Sequence, residues 1–327
     1  MTLAVEQVNA AGGVKGRPIR LITYDDEGKA DMAVTVVTRL ITQDNAVLIL
    51  GEQTSTRTIA AGAVAQSYRI PMVTPSATNP KVTEVGDYIF RVCFIDPFQG
   101  AVMAKFAAST LKLKTAAILR DLKSDYSVGL ANFFRKEFMA LGGEIVMDAS
   151  YAAGDLDFKS QLTAVKSKKA DLLFIPGFYT EAGLIARQAR ELNFKGALLG
   201  GDGWDGEQLT EIGGDSIAGG YFSNHYSDED KSPIVQEFVT KFKVKYHETP
   251  NSSAVLGYDA VLVAVDAARR ATEMTPKGLK EALADTKDFP AVTGRITINH
   301  ERNAVKSAVI LKVASSKKFE YVTTVTP

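Results

Sequence analysis

Along most of the chain, short apolar runs alternate with stretches in which apolar residues recur every three or four positions. The first kind fits buried strands, and the second fits amphipathic helices. PIRLITY, residues 18–24, predicts a strand, with Asp25-Asp26-Glu27-Gly28 as its loop. Residues 31–44 predict a helix with Val34, Val37, Leu40 and Ile41 on one face. The run Val47-Leu48-Ile49-Leu50 ends at Gly51, and helical spacing follows through Ile59, Ala63 and Val64. Ile70-Pro71-Met72-Val73 and residues 88–94 predict the next strands, and Asp96-Pro97 breaks the chain. A second series begins there. It predicts helices over 98–111, 128–141, 157–167 and 180–193, and strands over 115–120, 144–149, 171–175 and 196–200. This alternation predicts an α/β fold with doubly wound parallel sheets and right-handed crossovers.

After Asn224 the rhythm changes. The segment from Ser227 to Pro233 is a polar connector, and three helices, 233–247, 254–271 and 276–285, follow with no strand between them. The tail carries strand patterns from Gly294 to Ile298, Ala308 to Val313 and Phe319 to Val325, with a hairpin-like break at Ser315-Ser316-Lys317-Lys318. Two α/β series crossed more than once by the chain predict two lobes joined by a three-strand hinge near 94–97, 224–228 and 299–304. Lobe 1 is expected over 1–95 plus 226–301, and lobe 2 over 96–225 plus 302–327. Residues 1–10 read as the tail of a helix stopped by Gly12-Gly13, with no basic and apolar leader pattern, so this segment is not a signal peptide. An α/β domain ordinarily opens on a strand, so the pattern has its first strand missing.

Two hydroxyl clusters stand where the alternation puts loops. Thr54-Ser55-Thr56 follows the run ending at Leu50, and Thr74, Ser76 and Thr78 follow the run ending at Val73. In a parallel sheet both loops fall at the carboxyl ends of neighbouring strands, where such sheets bind ligands. Two rows of hydroxyls and backbone N–H groups suit a small anion such as a carboxylate. Ser and Thr are also common N-caps, and capping alone explains either cluster taken singly.

Composition narrows the function classes. The length of 327 residues suits two α/β lobes, and 46% apolar with 23% charged residues is ordinary globular composition. A net charge of +0 leaves no electrostatic footprint for nucleic acid or an anionic membrane. The single cysteine, Cys93, lies in an apolar run and cannot form an internal disulfide. No apolar run approaches the roughly 18 residues of a membrane helix. His225, His247 and His300 stand among charged residues without metal-ligand spacing, and are expected at the surface or satisfied in the core. No nucleophile elbow, zinc-binding HExxH, P-loop or CxxC occurs, so no catalytic residue, metal or cofactor is assigned. Gly201-Asp202-Gly203-Trp204-Asp205-Gly206 does spell GxGxxG, but its two aspartates would repel a pyrophosphate. Asp202 suits an ammonium ligand better, or serves as a helix N-cap.

Four segments together resemble the type I periplasmic binding proteins of the leucine/isoleucine/valine-binding kind. They are VNAAGGVKGRPIRLITYDD (8–26), LGEQTSTRTIAAGAVAQSYRIPMVTPSATNP (50–80), IFRVCFIDPFQG (89–100) and RQARELNFKGALLGGDGW (187–204). The resemblance implies a periplasmic or extracellular monomer that takes an amino acid, branched-chain or another small aliphatic one, into the cleft between its lobes. It also implies delivery to the membrane permease of an ABC importer, with no cofactor and no nucleic acid. Ser55 matches the serine that binds the ligand carboxylate. Ser76 and Thr78, with Ala77 between them, match a pair giving backbone and hydroxyl contacts to carboxylate and ammonium. Tyr126 matches the second-lobe tyrosine that closes over the ligand. Phe178 stands where relatives often have tyrosine and would wall the pocket. Asp202 stands at the acid for the α-ammonium.

Two positions depart from the family. The Tyr-Gly step is Tyr126-Ser127 here, and the branched-chain prototypes carry glutamate where this chain has Asp202, one methylene shorter. Tyr126 also fits plain packing, Phe178 fits core, and Trp204 fits either a cleft lining or buried packing. A zwitterion held by four or five charged hydrogen bonds of about 1.5–3 kcal/mol each would bind in the micromolar range. Contacts drawn from both lobes would favour a Venus-flytrap closure. A ligand-sensing receptor or regulator domain of the same fold, and an α/β enzyme, are the other classes. In this family's lobe the first strand is central, so the chain is expected to be an N-terminally shortened form lacking about 25–35 residues plus a secretory signal.

Overall fold

The computed structural model describes residues 1–315 and 318–327; Ser316 and Lys317 of the expected hairpin break lie outside the described residues. The chain divides into two compact units, Met1–Ile95 with Asp230–Lys306, and Asp96–Glu229 with Ser307–Pro327.

In the first unit, helices α1 (Thr2–Ala10) and α2 (Ala30–Thr42) precede a parallel sheet of three short strands. These are β1 (Ile49–Leu50), β2 (Met72–Thr74) and β3 (Ile89–Arg91), linked by α3 (Ser55–Ser67) and the single turn α4 (Lys81–Glu84). Ile49 is in register with Met72, and Val73 with Phe90. The strand expected over 18–24 does not form. No strand lies beside it among the described residues, and the side chain of Asn9 takes up one residue in its place. Ile19 N donates to Asn9 Oδ1 at 2.7 Å, and Asn9 Nδ2 donates to Ile19 O at 2.9 Å. Ile19 and Leu21 still pack on the core that Val5, Val8, Val73 and Phe90 form.

The second unit opens with α5 (Asp96–Lys105), continued by a π turn over Phe106–Thr110. Asp96-Pro97 starts this helix rather than breaking the chain, because a proline in the first turn removes an N–H that has no acceptor there. Then come β4 (Thr115–Asp121), α6 (Asp125–Ala140), β5 (Glu144–Tyr151), α7 (Lys159–Ser167), β6 (Leu172–Ile175), α8 (Tyr179–Glu191) and β7 (Ala197–Gly200). A 3₁₀ turn (Asp202–Trp204), α9 (Glu207–Gly213) and β8 (Tyr221–Asn224) complete the run.

The chain returns to the first unit as α10 (Pro233–Tyr246), α11 (Ser252–Arg270) and α12 (Pro276–Ala284). An antiparallel sheet of β9 (Phe289–Ala291), β10 (Gly294–Ile298) and β11 (Ala304–Val305) follows. The buried Asp259 of α11 fixes the turn between β9 and β10, accepting from Val292 N and Thr293 N, both at 2.9 Å. Strands β12 (Ala308–Val313) and β13 (Phe319–Val325) then belong to the second unit.

The second unit's sheet has the order β13-β12-β8-β7-β6-β4-β5. Strands β5, β4, β6, β7 and β8 run parallel, while β12 is antiparallel to β8 and β13 to β12. The hairpin-like break fits the pairing of β12 with β13, but the alternating pattern did not foresee that β12 joins β8 antiparallel, because residue periodicity does not encode strand direction. The strand order reverses between β4 and β6, which makes that point the topological switch. Both faces of the sheet are buried. Leu173 and Ile175 face one apolar cluster, and Leu172 and Phe174 face the other. The Phe174 ring stacks on Phe134 with centroids 3.9 Å apart. Replacing a buried phenylalanine by alanine costs about 3–5 kcal/mol. Phe174→Ala is therefore expected to lower the midpoint of urea unfolding markedly, and an unchanged midpoint would contradict the assignment of this ring to the core.

Candidate functional site

The sequence-predicted residues fall at the carboxyl ends of parallel strands, in two sets. Ser55, Ser76, Ala77 and Thr78 belong to the first unit, and Tyr126, Phe178 and Asp202 to the second.

In the first unit, the loops after β1 and β2 are stitched together. Thr58 Oγ1 donates to Glu52 O at 3.0 Å, Thr74 Oγ1 donates to the same carbonyl, and Ser76 Oγ donates to Gln53 O at 3.1 Å. Ser55 Oγ accepts from Asn79 N at 3.2 Å, and Ser55 is buried. The N-cap position of α3 is Thr54, whose side chain does not cap the helix. That hydroxyl donates to the Glu52 carboxylate instead. Capping by the Thr54 side chain therefore does not occur; the Glu52 carboxylate lies at this end of α3, accepting from Thr54 N at 3.0 Å and from Arg57 Nε at 2.8 Å. Thr78 is the telling residue. Its Oγ1 is buried and has no hydrogen-bond partner among the described residues. A buried unsatisfied hydroxyl costs about 1–3 kcal/mol, so its retention fits a ligand atom that satisfies it.

Behind this loop stands Arg91, which sequence reasoning passed over as part of an apolar run. Its guanidinium is fully buried and donates to Ala77 O at 2.6 Å and to Asn79 O at 2.8 Å. The carbonyls on both sides of Thr78 are thereby turned to a cation.

In the second unit, Tyr126 lies in the first turn of α6, after β4, where Ser124 caps the helix by accepting from Ser127 N. Phe178 follows β6 at the start of α8, and the rings of Tyr126 and Phe178 lie 5.4 Å apart. Asp202 follows β7. Its Oδ1 accepts from Gln99 Nε2 and its Oδ2 meets His225 Nε2, both at 2.9 Å. Gln99 is itself fixed, since its Oε1 accepts from Asp202 N and from Ser223 Oγ, both at 3.1 Å. The Tyr126 hydroxyl accepts from Gly203 N at 3.1 Å. Burial first, then the charges of Asp202 and Asp96, push this phenol well above its ordinary range, so it stays protonated. The Asp202 side chain is 9% exposed and has a partner on each carboxylate oxygen, and it is not a helix cap.

The glycines around it are explained by packing. A Cβ at Gly201 would stand 2.5 Å from the Tyr126 hydroxyl and 2.7 Å from Gln99 Oε1. Trp204 is buried, with Nε1 donating to Ile175 O at 3.0 Å, which settles it as packing. His225 is buried against Asp202, whereas His247 and His300 are exposed. Nothing in the sequence around His225 signalled that placement. The described residues contain no cluster of three or more metal-ligating side chains. None of the described helices is long and apolar enough to cross a membrane.

Comparison with known proteins adds four findings of one kind. The family described as Periplasmic binding protein matches residues 1–318. A leucine-, isoleucine-, valine-, threonine- and alanine-binding protein of Pseudomonas aeruginosa is 31% identical over 290 residues, 88% of this chain and 77% of that protein. Among solved structures, a leucine-binding protein of Thermotoga maritima is 36% identical with a TM-score of 0.95, covering 100% of this chain and 93% of its own. A branched-chain amino acid transporter substrate-binding protein of Streptococcus pneumoniae, in complex with isoleucine, is 35% identical with a TM-score of 0.93, covering 100% and 92%.

Thr78 gives a direct test of the first unit's loops. Thr78→Val keeps the shape and removes the unpartnered hydroxyl. The variant is expected to unfold at the parent's temperature or above, and to bind a carboxylate ligand about 1–3 kcal/mol more weakly by calorimetry. Lost stability with unchanged binding would assign the hydroxyl to the fold instead.

Proposed function

The chain belongs to the periplasmic binding protein family, and on that premise we propose that it captures an amino acid and hands it to the permease of an ABC importer. It is a binding protein, not an enzyme. The ligand is a branched-chain amino acid or another small aliphatic one, and the protein works as a monomer outside the cytoplasmic membrane.

One observation carries this reading: the carboxylate of Asp202, 9% exposed and held on both oxygens. A carboxylate offers about four acceptor positions. Gln99 and His225 occupy two of them, which leaves acceptor capacity for a cationic donor. An α-ammonium fits that need as a compact cation. The first unit offers the complementary chemistry for an α-carboxylate: the Thr78 hydroxyl and the loop backed by Arg91. The Tyr126 and Phe178 rings add an apolar surface suited to an aliphatic side chain. The binding of leucine, isoleucine and valine by relatives at about one-third identity supports the same ligand class. Two of these supports, the shorter acid and the phenylalanine at position 178, distinguish this chain from the branched-chain prototypes and bear on which member of the class fits best.

A thermal-shift panel of L-amino acids on the full chain tests the reading. One or more aliphatic members are expected to raise the melting temperature, with a Kd near 1 μM, about −8 kcal/mol. Ligand at about a hundred times Kd adds about 2.7 kcal/mol of stability, enough for a clear shift. Asp202→Ala is expected to fold and to lose a few kcal/mol of affinity. No shift from any amino acid, or unchanged affinity in the variant, would refute the assignment.

A further inference from the structure

We propose that His225 is the positioning residue of Asp202, and that its protonation sets the acid limit of amino-acid capture. The inference rests on the reading of Asp202 as the ammonium acceptor. It stands on geometry. His225 directly follows β8, its side chain has 0% exposure against 9% for Asp202, and its Nε2 lies 2.9 Å from Oδ2. An ionised carboxylate only accepts, so Nε2 carries the proton that this bond needs. The second ring nitrogen is then the one that gains or loses a proton. Gln99 fixes the carboxylate from the other side, and its own orientation is determined by the Asp202 N–H and the Ser223 hydroxyl donating to its oxygen. The carboxylate therefore cannot turn away when the imidazole changes charge.

The electrostatic consequence is simple. With His225 neutral, the Asp202–His225 pair carries one negative charge and attracts an ammonium. With His225 protonated, the pair is neutral as a whole, and the imidazolium repels the ammonium. Ligand binding and proton uptake at His225 then oppose each other, and linkage makes affinity fall as pH drops. Imidazole is the side chain whose ordinary titration lies between pH 5 and 8.

The other charged or titratable groups on elements packed against β8 are few. The 3₁₀ turn brings Asp202, and α5 brings the buried Asp96 and, at its exposed far end, Lys105. From α6, Tyr126 reaches Asp202. Strand β7 brings no titratable side chain, and Lys312 of β12 lies opposite Tyr221, at the far end of β8. Asp205 and Tyr226 follow nearby in the chain and are buried. Of these, only His225 ordinarily changes charge in the range concerned.

The experiment is calorimetry of L-leucine, or of whichever amino acid the panel ranks first, from pH 8 to pH 5 in buffers of different ionisation enthalpy. Affinity is expected to fall toward acid by up to about tenfold per pH unit, with close to one proton released per ligand bound at the acid end. His225→Gln keeps an N–H donor and cannot titrate, so whatever affinity it has at pH 8 is expected to hold unchanged down to pH 5. A parent affinity that is flat between pH 5 and 8 overturns the proposal while leaving the amino-acid reading intact, as does a His225→Gln variant that keeps the slope. Absence of binding at pH 8 overturns both. Should the variant fail to fold, the parent's slope and proton count decide alone.

Discussion

Parallel pairing makes all the strands of a sheet end on the same edge, and the rest of this structure follows from that constraint. Parallel strands need both faces covered, so their side chains are largely apolar, as in β6 and β7 of the second unit. Polar chemistry is thereby pushed out of the strands and into the loops at their carboxyl ends. In the second unit those loops deliver Tyr126 after β4, Phe178 after β6, Asp202 after β7 and His225 after β8. In the first unit the same rule puts Ser55 after β1 and Thr78 after β2. A ligand site of this kind needs no special device beyond the sheet itself.

What the loops add is preorganisation. Desolvating a carboxylate is costly unless donors replace its water. Gln99 and His225 do so for Asp202, one on each carboxylate oxygen. Arg91 does the corresponding work behind the hydroxyl loop, drawing two carbonyls to itself. Thr78 shows the opposite side of the balance. Its hydroxyl has no partner among the described residues, a local loss of stability that a ligand atom would offset on the function proposed above. Binding energy gained against prearranged groups is reduced less by ordering costs, which is how a small zwitterion would reach micromolar affinity.

The parts legible from sequence were those written in local pattern. Strand–helix alternation gave the α/β class, and two Ser/Thr clusters after apolar runs marked the first unit's loops. Asp202 could be found because it sits at a strand end in a glycine-rich turn. Its supports could not. Gln99 acts on a residue 103 positions away, and neither it nor His225 carries a local signature. Arg91 was hidden inside a run of apolar residues. The strand expected over 18–24 was misread for the same reason: an apolar alternation states that a segment can pair, and not that a partner stands beside it. The antiparallel pairing of β12 with β13 was legible in the polar break between them, whereas that of β12 with β8 was invisible because residue periodicity is the same for either strand direction.

The central claim is that the protein recognises both ends of an α-amino acid at once. The most direct measurement compares, by calorimetry on the full chain, the amino acid bound most tightly with its 2-oxo acid, which lacks the ammonium, and with its carboxamide, which lacks the carboxylate. Each lost charged hydrogen bond is worth about 1.5–3 kcal/mol, so both analogues are predicted to bind at least about tenfold more weakly. An analogue that binds as tightly as the amino acid would contradict the account at the end of the ligand it has altered.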